Sequence, residues 1–243
     1  MFSKKQKTCA TAIIVAAGNS RRMGQNINKQ LLLIDGIPVL AHTLGKFDAA
    51  ETISDIIIVT KPEDILTIQD MVKEFGIRKV SDIVPGGKTR QESVSRGLSC
   101  VLNESLVAVH DGARPFISPE KIDELVMAAK AFDAVAPGII PKDTVKSITS
   151  DRVVSHTPDR NTLRLIQTPQ VFRADVLKLA YIRAEECGFE GTDDCSVAEN
   201  SGIEIHIIEG ENTNIKVTTP EDLPVAETIC DYLNSKKEER KYL

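Results

Sequence analysis

The best-placed chemistry in this sequence is one carboxylate among scattered cations. Asp111 follows the apolar run "LVAVH" at 106–110, and Gly112 and Ala113 leave room beside it. A carboxylate at the end of a buried strand suits Mg²⁺, which is held by one or two carboxylates plus substrate phosphates. Arg114 is read as orienting Asp111 or complementing phosphate, and His110 as a packed histidine rather than a catalyst. Near the N-terminus, "AIIVAAGNSRRMGQNINKQ" empties an apolar run into a loop carrying Arg22 and Lys29. Gly18 there permits a sharp turn and close approach of a ligand to the backbone. The loop does not fit G-x-G-x-x-G, because the spacing and the helix start are wrong, nor G-x-x-x-x-G-K-[ST], because position 23 is Met. A cation pair in such a loop suits a triphosphate whose charge must be neutralised.

The stretch "VPGGKTR" at 84–90 imitates the end of a P-loop, but Asp82 stands where that pattern needs its first glycine. Gly86 and Gly87 still make a flexible turn, and Lys88, Arg90 and Ser93 open the next helix as an anion- or base-reading edge. Further on, "HTPDRN" carries Arg160, "TDDCS" reads as a helix start capped by Thr192 with Asp193 and Asp194 in the first turn, and "NIKVTTPEDL" carries Lys216. The formal net charge is −5, so cations gathered at one edge imply a small polyanionic substrate rather than nucleic acid or an anionic membrane. No H-E-x-x-H occurs, and no Ser/His/Asp order suggests a triad. A phosphate nucleophile explains that absence: its second pKa is about 6, so it is already ionised at neutral pH.

The 243 residues are 42% hydrophobic and 27% charged, the balance of a globular chain with a core. Five cysteines at wide spacings, without C-x-x-C, suggest neither a disulfide framework nor zinc. No apolar stretch nears the roughly 20 residues of a bilayer span. These features lead us to expect a cytoplasmic protein.

The elements that must position these residues alternate. Apolar runs at 11–17, 53–60, 79–84 and 106–110 read as strands. Helical periodicity follows each: Leu40, Leu44 and Phe47; a helix opened by Pro62; Val94, Leu98 and Val101; and a helix capped by Ser118 with Pro119 first. Alternation of this kind predicts a parallel sheet with helices on both faces and ligands beyond the strands' carboxyl ends. The loops at 16–30, 85–90 and 111–115 are then the ones to watch. After about residue 138 two short β-like segments, 144–149 and 152–157, read as a hairpin arm, about 141–165, within one domain spanning 1–243. An isolated hairpin is marginal in water, which points to packing on a second copy. A helix from Ala174 to about Cys187, a strand at 203–209 and a last helix from Pro220, with Thr219 and Asp222 as capping box, complete the expected body.

Seven stretches in order, "VAAGNSRRMG", "KQLL", "HDGARPF", "HTPDRN", "TPQVF", "TDDCS" and "NIKVTTPEDL", resemble the methylerythritol-phosphate cytidylyltransferases of the non-mevalonate isoprenoid pathway. The resemblance implies a Rossmann-like three-layer α/β nucleotidyltransferase fold, with a mostly parallel sheet and a β-hairpin arm used for dimerisation. It implies CTP and 2-C-methyl-D-erythritol 4-phosphate as substrates, Mg²⁺, and a homodimer whose arm reaches the partner's site. On the matching positions, Arg22 and Lys29 are implied to stabilise the transition state and Asp111 to ligate the metal. Ala16, Ala17 and Gly18 would lie along the nucleotide, and Gly87, Lys88, Arg90, Ser93 and Ala113 would complete its site. Thr144, Arg160 and Lys216 would take the alcohol phosphate, with weaker contacts from Thr168 and Thr192. Ser20 departs from the family, which usually carries a second glycine there. The alternatives are a cytidylyltransferase for ribitol 5-phosphate and a non-catalytic nucleotide-binding regulator.

From these roles, Arg22→Ala and Lys29→Ala variants are expected to bind CTP but lose roughly 10²–10³-fold in kcat, the effect of removing one transition-state donor. Calorimetric CTP titration and a pyrophosphate-release assay check this. Unchanged turnover in either variant contradicts that residue's role.

Overall fold

The structure, a computed structural model, describes residues 9–18, 29–102 and 105–239. Strand β1, Ala10–Val15, shows why the chain forms layers. Its side chains alternate: Ala10, Ala12 and Ile14 enter one core cluster, Ile13 and Val15 the other. A strand apolar on both faces must be covered on both. Helices α1 (Val39–Ala49), α2 (Ile65–Glu74) and α4 (Pro119–Ala129) cover the first face. Helices α3 (Arg90–Leu98), α5 (Ala174–Cys187) and α6 (Asp194–Asn200) cover the second. The expected three-layer α/β architecture is therefore present.

Short strands β2 (Leu33–Ile34) and β3 (Ile37–Pro38) pair beside the entry to α1. Parallel strands β4 (Ile53–Thr60), β5 (Val80–Pro85) and β6 (Leu106–Asp111) flank β1. Registers align Val15 with Val59 and with Asp111, and Val59 with Val84. These four strands thus end level, and everything that follows them emerges on one edge.

Local signals explain the boundaries. The Ser118 and Thr89 hydroxyls accept the backbone N–H of Lys121 and Glu92, capping α4 and α3. Gly188 ends α5 at φ +68°, a conformation glycine adopts without strain. Pro62 opens a 3₁₀ turn, Pro62–Asp64, and the α-helix begins only at Ile65. The cap of α6 is Asp193 rather than Thr192: its carboxylate takes the Ser196 N–H, and the Ser196 hydroxyl takes the Asp193 N–H. The last helix, α7, runs Asp222–Glu239, and the Asp222 carboxylate receives the N–H groups of Thr218 and Thr219, the backward half of the expected box.

Two strands of four or more residues have no forecast in the sequence. Strand β7 (Ala134–Ile139) contains Pro137 and Gly138, which read as breakers. It pairs nonetheless, because Pro137 need only accept, and it does so from the Gln167 N–H at 2.8 Å. Strand β11 (Gln170–Arg173) is too short for periodicity, yet it runs antiparallel between β6 and β7. Strands β10 (Leu165–Ile166) and β12 (His206–Glu209) pair with β7, giving an order β10-β7-β11-β6-β1-β4-β5 with β12 also on β7. Strands β8 (Ser147–Ile148) and β9 (Val154–His156) form a separate small hairpin, with its turn tightened by Arg152 at φ +61°. Val145, Ile148, Val153 and Val154 are exposed along it.

Gly86 is fixed by close approach after β5. Its N–H donates to Thr60 O at 2.7 Å, and a Cβ there would lie 2.3 Å from Ala17 Cβ. Gly86→Ala is expected to lower stability by about 1–3 kcal/mol through overpacking. Urea unfolding midpoints measure it, and an unchanged midpoint contradicts the close approach.

Candidate active site

The level strand ends open into a cavity of about 570 Å³. Among the described residues, its lining takes Ala17 and Gly18 after β1, Lys61 and Glu63 after β4, the 86–90 turn after β5, and Asp111 and Ala113 at β6. Ser93 and Lys216 also line it. Of the residues singled out in the sequence, Ala17, Gly18, Gly87, Lys88, Arg90, Ser93, Asp111, Ala113 and Lys216 come together here.

The remaining ones lie elsewhere. Ala16 is buried, and its N–H is committed to Val59 O at 2.7 Å. Thr168 sits behind Asp111: its buried hydroxyl accepts the Asp111 N–H and meets His110 Nδ1, each at 3.1 Å. Thr144 and Arg160 find each other at 3.4 Å near the arm, outside the cavity lining. The Thr192 hydroxyl lies 3.5 Å from Ser196 Oγ. Arg22 and the side chain of Lys29 lie outside the described residues, although the Lys29 backbone opens a 3₁₀ turn, Lys29–Leu31.

Asp111 is the electrostatic centre. Its Oδ1 accepts from Arg90 Nε at 3.2 Å, and its Oδ2 pairs with Lys216 Nζ at 2.6 Å. Burial pushes the carboxyl up, but the Arg90 and Lys216 charges outweigh it and hold Asp111 well below the usual carboxylate range. Arg90 in turn grips Asp194 with both terminal nitrogens, at 3.1 and 2.7 Å. Burial works against its charge, yet Asp194 and Asp111 keep the guanidinium fully protonated. Asp194 is fully buried and also accepts the Tyr181 hydroxyl at 2.6 Å. Burial and the Asp194 charge drive the Tyr181 pKa well up, so the phenol stays a donor.

Lys216 is placed by a polar clamp rather than by a helix or strand. Val217 N–H donates to Ala113 O at 2.9 Å, Arg114 Nη1 to Asn214 O at 2.8 Å, and Asn214 Nδ2 to Thr168 O at 2.9 Å. Arg114 therefore supports the lysine-bearing loop. Ser93 braces the glycine turn: its hydroxyl accepts from Gly87 N–H at 3.0 Å and donates to Thr89 O at 2.8 Å, leaving one lone pair for a ligand.

Sequence reasoning passed over Asp194 as a capping residue, and Tyr181 and Lys61 altogether. Lys61 was within reach of the strand-end rule, since it directly follows β4. The Asp194 contact joins residues more than a hundred positions apart, and no local pattern signals it.

Among the described residues, no group of three or more His, Cys, Asp or Glu is set to hold a metal ion. A lone carboxylate facing cations fits a cation that arrives with phosphate oxygens and not a resident metal cage.

An open, doubly covered sheet with a polar, cation-lined cleft at its strand ends defines an α/β protein of the nucleotide-handling class. A sequence profile described as IspD, 2-C-methyl-D-erythritol 4-phosphate cytidylyltransferase, matches residues 10–232. The protein of that name from Geotalea uraniireducens is 41% identical over 231 residues, covering 93% of this chain and 99% of its own. The one from Caldanaerobacter subterraneus is 46% identical over 219 residues, covering 89% and 96%. The crystal structure of 4-diphosphocytidyl-2C-methyl-D-erythritol synthase from Anaerococcus prevotii superposes with a TM-score of 0.84 at 32% identity, covering 93% of this chain and 97% of that one. The chain belongs to the 2-C-methyl-D-erythritol 4-phosphate cytidylyltransferase family.

His110 reports on the site's base. Its ring lies 4.8 Å from that of Phe47 and is fully buried, and burial lowers its pKa to about 4. Nε2 donates to Arg114 O at 3.1 Å, so the neutral ring carries its proton there. The unfolded chain takes up this proton below about pH 6.5 and the folded chain only near pH 4, so stability falls as pH drops across that window. Its ¹⁵N resonances should stay at neutral, Nε2-protonated values from pH 8 to about 5. A midpoint near 6.5 contradicts the assignment.

Proposed function

We propose that this chain transfers CMP from CTP to 2-C-methyl-D-erythritol 4-phosphate, giving 4-diphosphocytidyl-2-C-methyl-D-erythritol and pyrophosphate in isoprenoid precursor synthesis. The observation that carries the reading is Asp111 held between Arg90 and Lys216 at the mouth of the strand-end cavity, in a chain of this family. An oxygen of the alcohol's 4-phosphate attacks the α-phosphorus of CTP. The bond from that phosphorus to the β-phosphate bridging oxygen breaks, and pyrophosphate leaves. The attacking phosphate needs no general base, because it is ionised at neutral pH. The protein's part is positioning and charge neutralisation.

In this reading the 86–88 turn and Ser93 face the base, while Ala17 and Gly18 face the sugar and phosphates. Arg22 and Lys29 meet the charge that grows at the α-phosphorus. Asp111 would hold Mg²⁺ through Oδ2, and bound Mg²⁺ supplies neutralisation of the triphosphate. Lys216 would serve phosphate beside it. Ala113 borders the nucleotide, and Arg160 with Thr144 serves the alcohol phosphate from the arm.

We extend the reading to assembly. The apolar residues exposed along the 141–165 arm would be covered in a homodimer, bringing Arg160 to the partner's site. Neither nucleic acid nor membrane is a partner in this proposal, consistent with the −5 charge and with no described helix being long and apolar enough to cross a bilayer. The site of action is taken as the cytoplasm.

Pyrophosphate release from CTP should depend on 2-C-methyl-D-erythritol 4-phosphate and on Mg²⁺, with ribitol 5-phosphate turned over at least tenfold less efficiently in kcat/KM. A discrimination of that size requires about 1.4 kcal/mol. Preferred turnover of ribitol 5-phosphate overturns the acceptor assignment. CTP binding without any pyrophosphate release supports a regulator instead.

A further inference from the structure

Arg90 is an unexpected neighbour for a metal-binding carboxylate. A guanidinium 3.2 Å from Asp111 Oδ1 should repel an arriving divalent cation. It should also be free to bind phosphate itself. Both effects are reduced here, because each terminal nitrogen commits one N–H to Asp194, whose carboxylate offsets the charge. The fork is aimed at a carboxylate that is fully buried, Nε–H is given to Asp111, and each terminal nitrogen keeps one further N–H. Asp194 is in turn fixed by the Tyr181 hydroxyl at 2.6 Å. Helix α6 carries Asp194, α5 carries Tyr181, and α3 carries Arg90, so three helices of one layer converge on one guanidinium.

We propose that Asp194, with Tyr181 behind it, is a positioning residue that neutralises Arg90 and aims its Nε at Asp111, so that Asp111 keeps its orientation and its pull on the divalent cation that accompanies CTP. The inference rests on the proposed nucleotidyl transfer and deepens it. With Asp194 in place, Arg90 and Asp194 form a neutral pair, and Asp111 faces the cleft with Lys216 as its exchangeable partner. Without the Asp194 charge, Arg90 carries an uncompensated positive charge beside Asp111. That charge weakens the cation site. It also frees the fork to attract the triphosphate. A merely structural residue does not give opposite signs for these two effects.

The test is calorimetric titration of CTP into the full-length wild-type chain and an Asp194→Asn variant, each in EDTA and in Mg²⁺. The ratio of the two affinities measures the coupling of metal to nucleotide, with no turnover involved. The variant should bind CTP in EDTA at least as tightly as wild type, while its Mg²⁺ enhancement shrinks by roughly tenfold or more, since one charge a few ångströms away at an effective dielectric near 20 exceeds that. Tyr181→Phe, which keeps the charge and removes the tether, should reduce the enhancement by about threefold, part of the value of one hydrogen bond to a charged group. Equal weakening in EDTA and in Mg²⁺ means a structural role only and overturns the proposal. So does an unchanged Mg²⁺ enhancement in both variants. If Asp194→Asn does not fold, Tyr181→Phe alone decides, by the same two readings. A wild-type chain that binds no CTP refutes the functional reading itself.

Discussion

The site is organised by the cost of burying carboxylates. Asp111 and Asp194 are both withdrawn from water, and an uncompensated buried charge costs several kcal/mol. One guanidinium bridges them, and one lysine answers what remains of Asp111. Formally the four groups cancel: two carboxylates against Arg90 and Lys216. Removing any one leaves the cluster with a net charge. Much of the surrounding structure can be understood as the means of bringing them together.

The sheet supplies the first of those means. Because β1, β4, β5 and β6 end level, Asp111 and the glycine turn share one edge. The antiparallel β11 then places Thr168 and Gln170 against that edge. Thr168 holds the Asp111 amide, and Gln170 ties β11 to α6 through Asp193 Oδ2 at 2.7 Å and Cys195 N at 3.0 Å. Lys216 comes from a loop without regular structure, so backbone clamps from Ala113, Arg114 and Asn214 set its reach. The strands and helices thus carry the two carboxylates and Arg90, and a clamped loop carries the lysine.

What was legible in the sequence was local. Strand 53–60, the Ser118–Pro119 helix start and the helix from Ala174 to Cys187 follow from periodicity and capping chemistry, and they stand as expected. Asp111 was legible because a carboxylate directly follows a buried apolar run. The illegible parts depend on contacts distant in sequence. β11 is a strand only because β6 and β7 lie on either side of it, and its four residues have no period of their own. Thr192 and Asp193 are both good capping residues, and the choice between them depends on which hydroxyl or carboxylate meets Ser196. Asp194 looked like first-turn charge complementing a helix dipole. Its actual partner, Arg90, lies on another helix 104 residues earlier.

The central claim is that Asp111 exchanges Lys216 for a cation when nucleotide binds. A crystal structure of the chain with CTP and Mg²⁺ tests it most directly. The account predicts Mg²⁺ at roughly 2.1 Å from an Asp111 oxygen, Arg90 still held by Asp194, and Lys216 Nζ moved onto phosphate. Nucleotide bound in the cleft with the Lys216–Asp111 pair intact and the metal held elsewhere would contradict it.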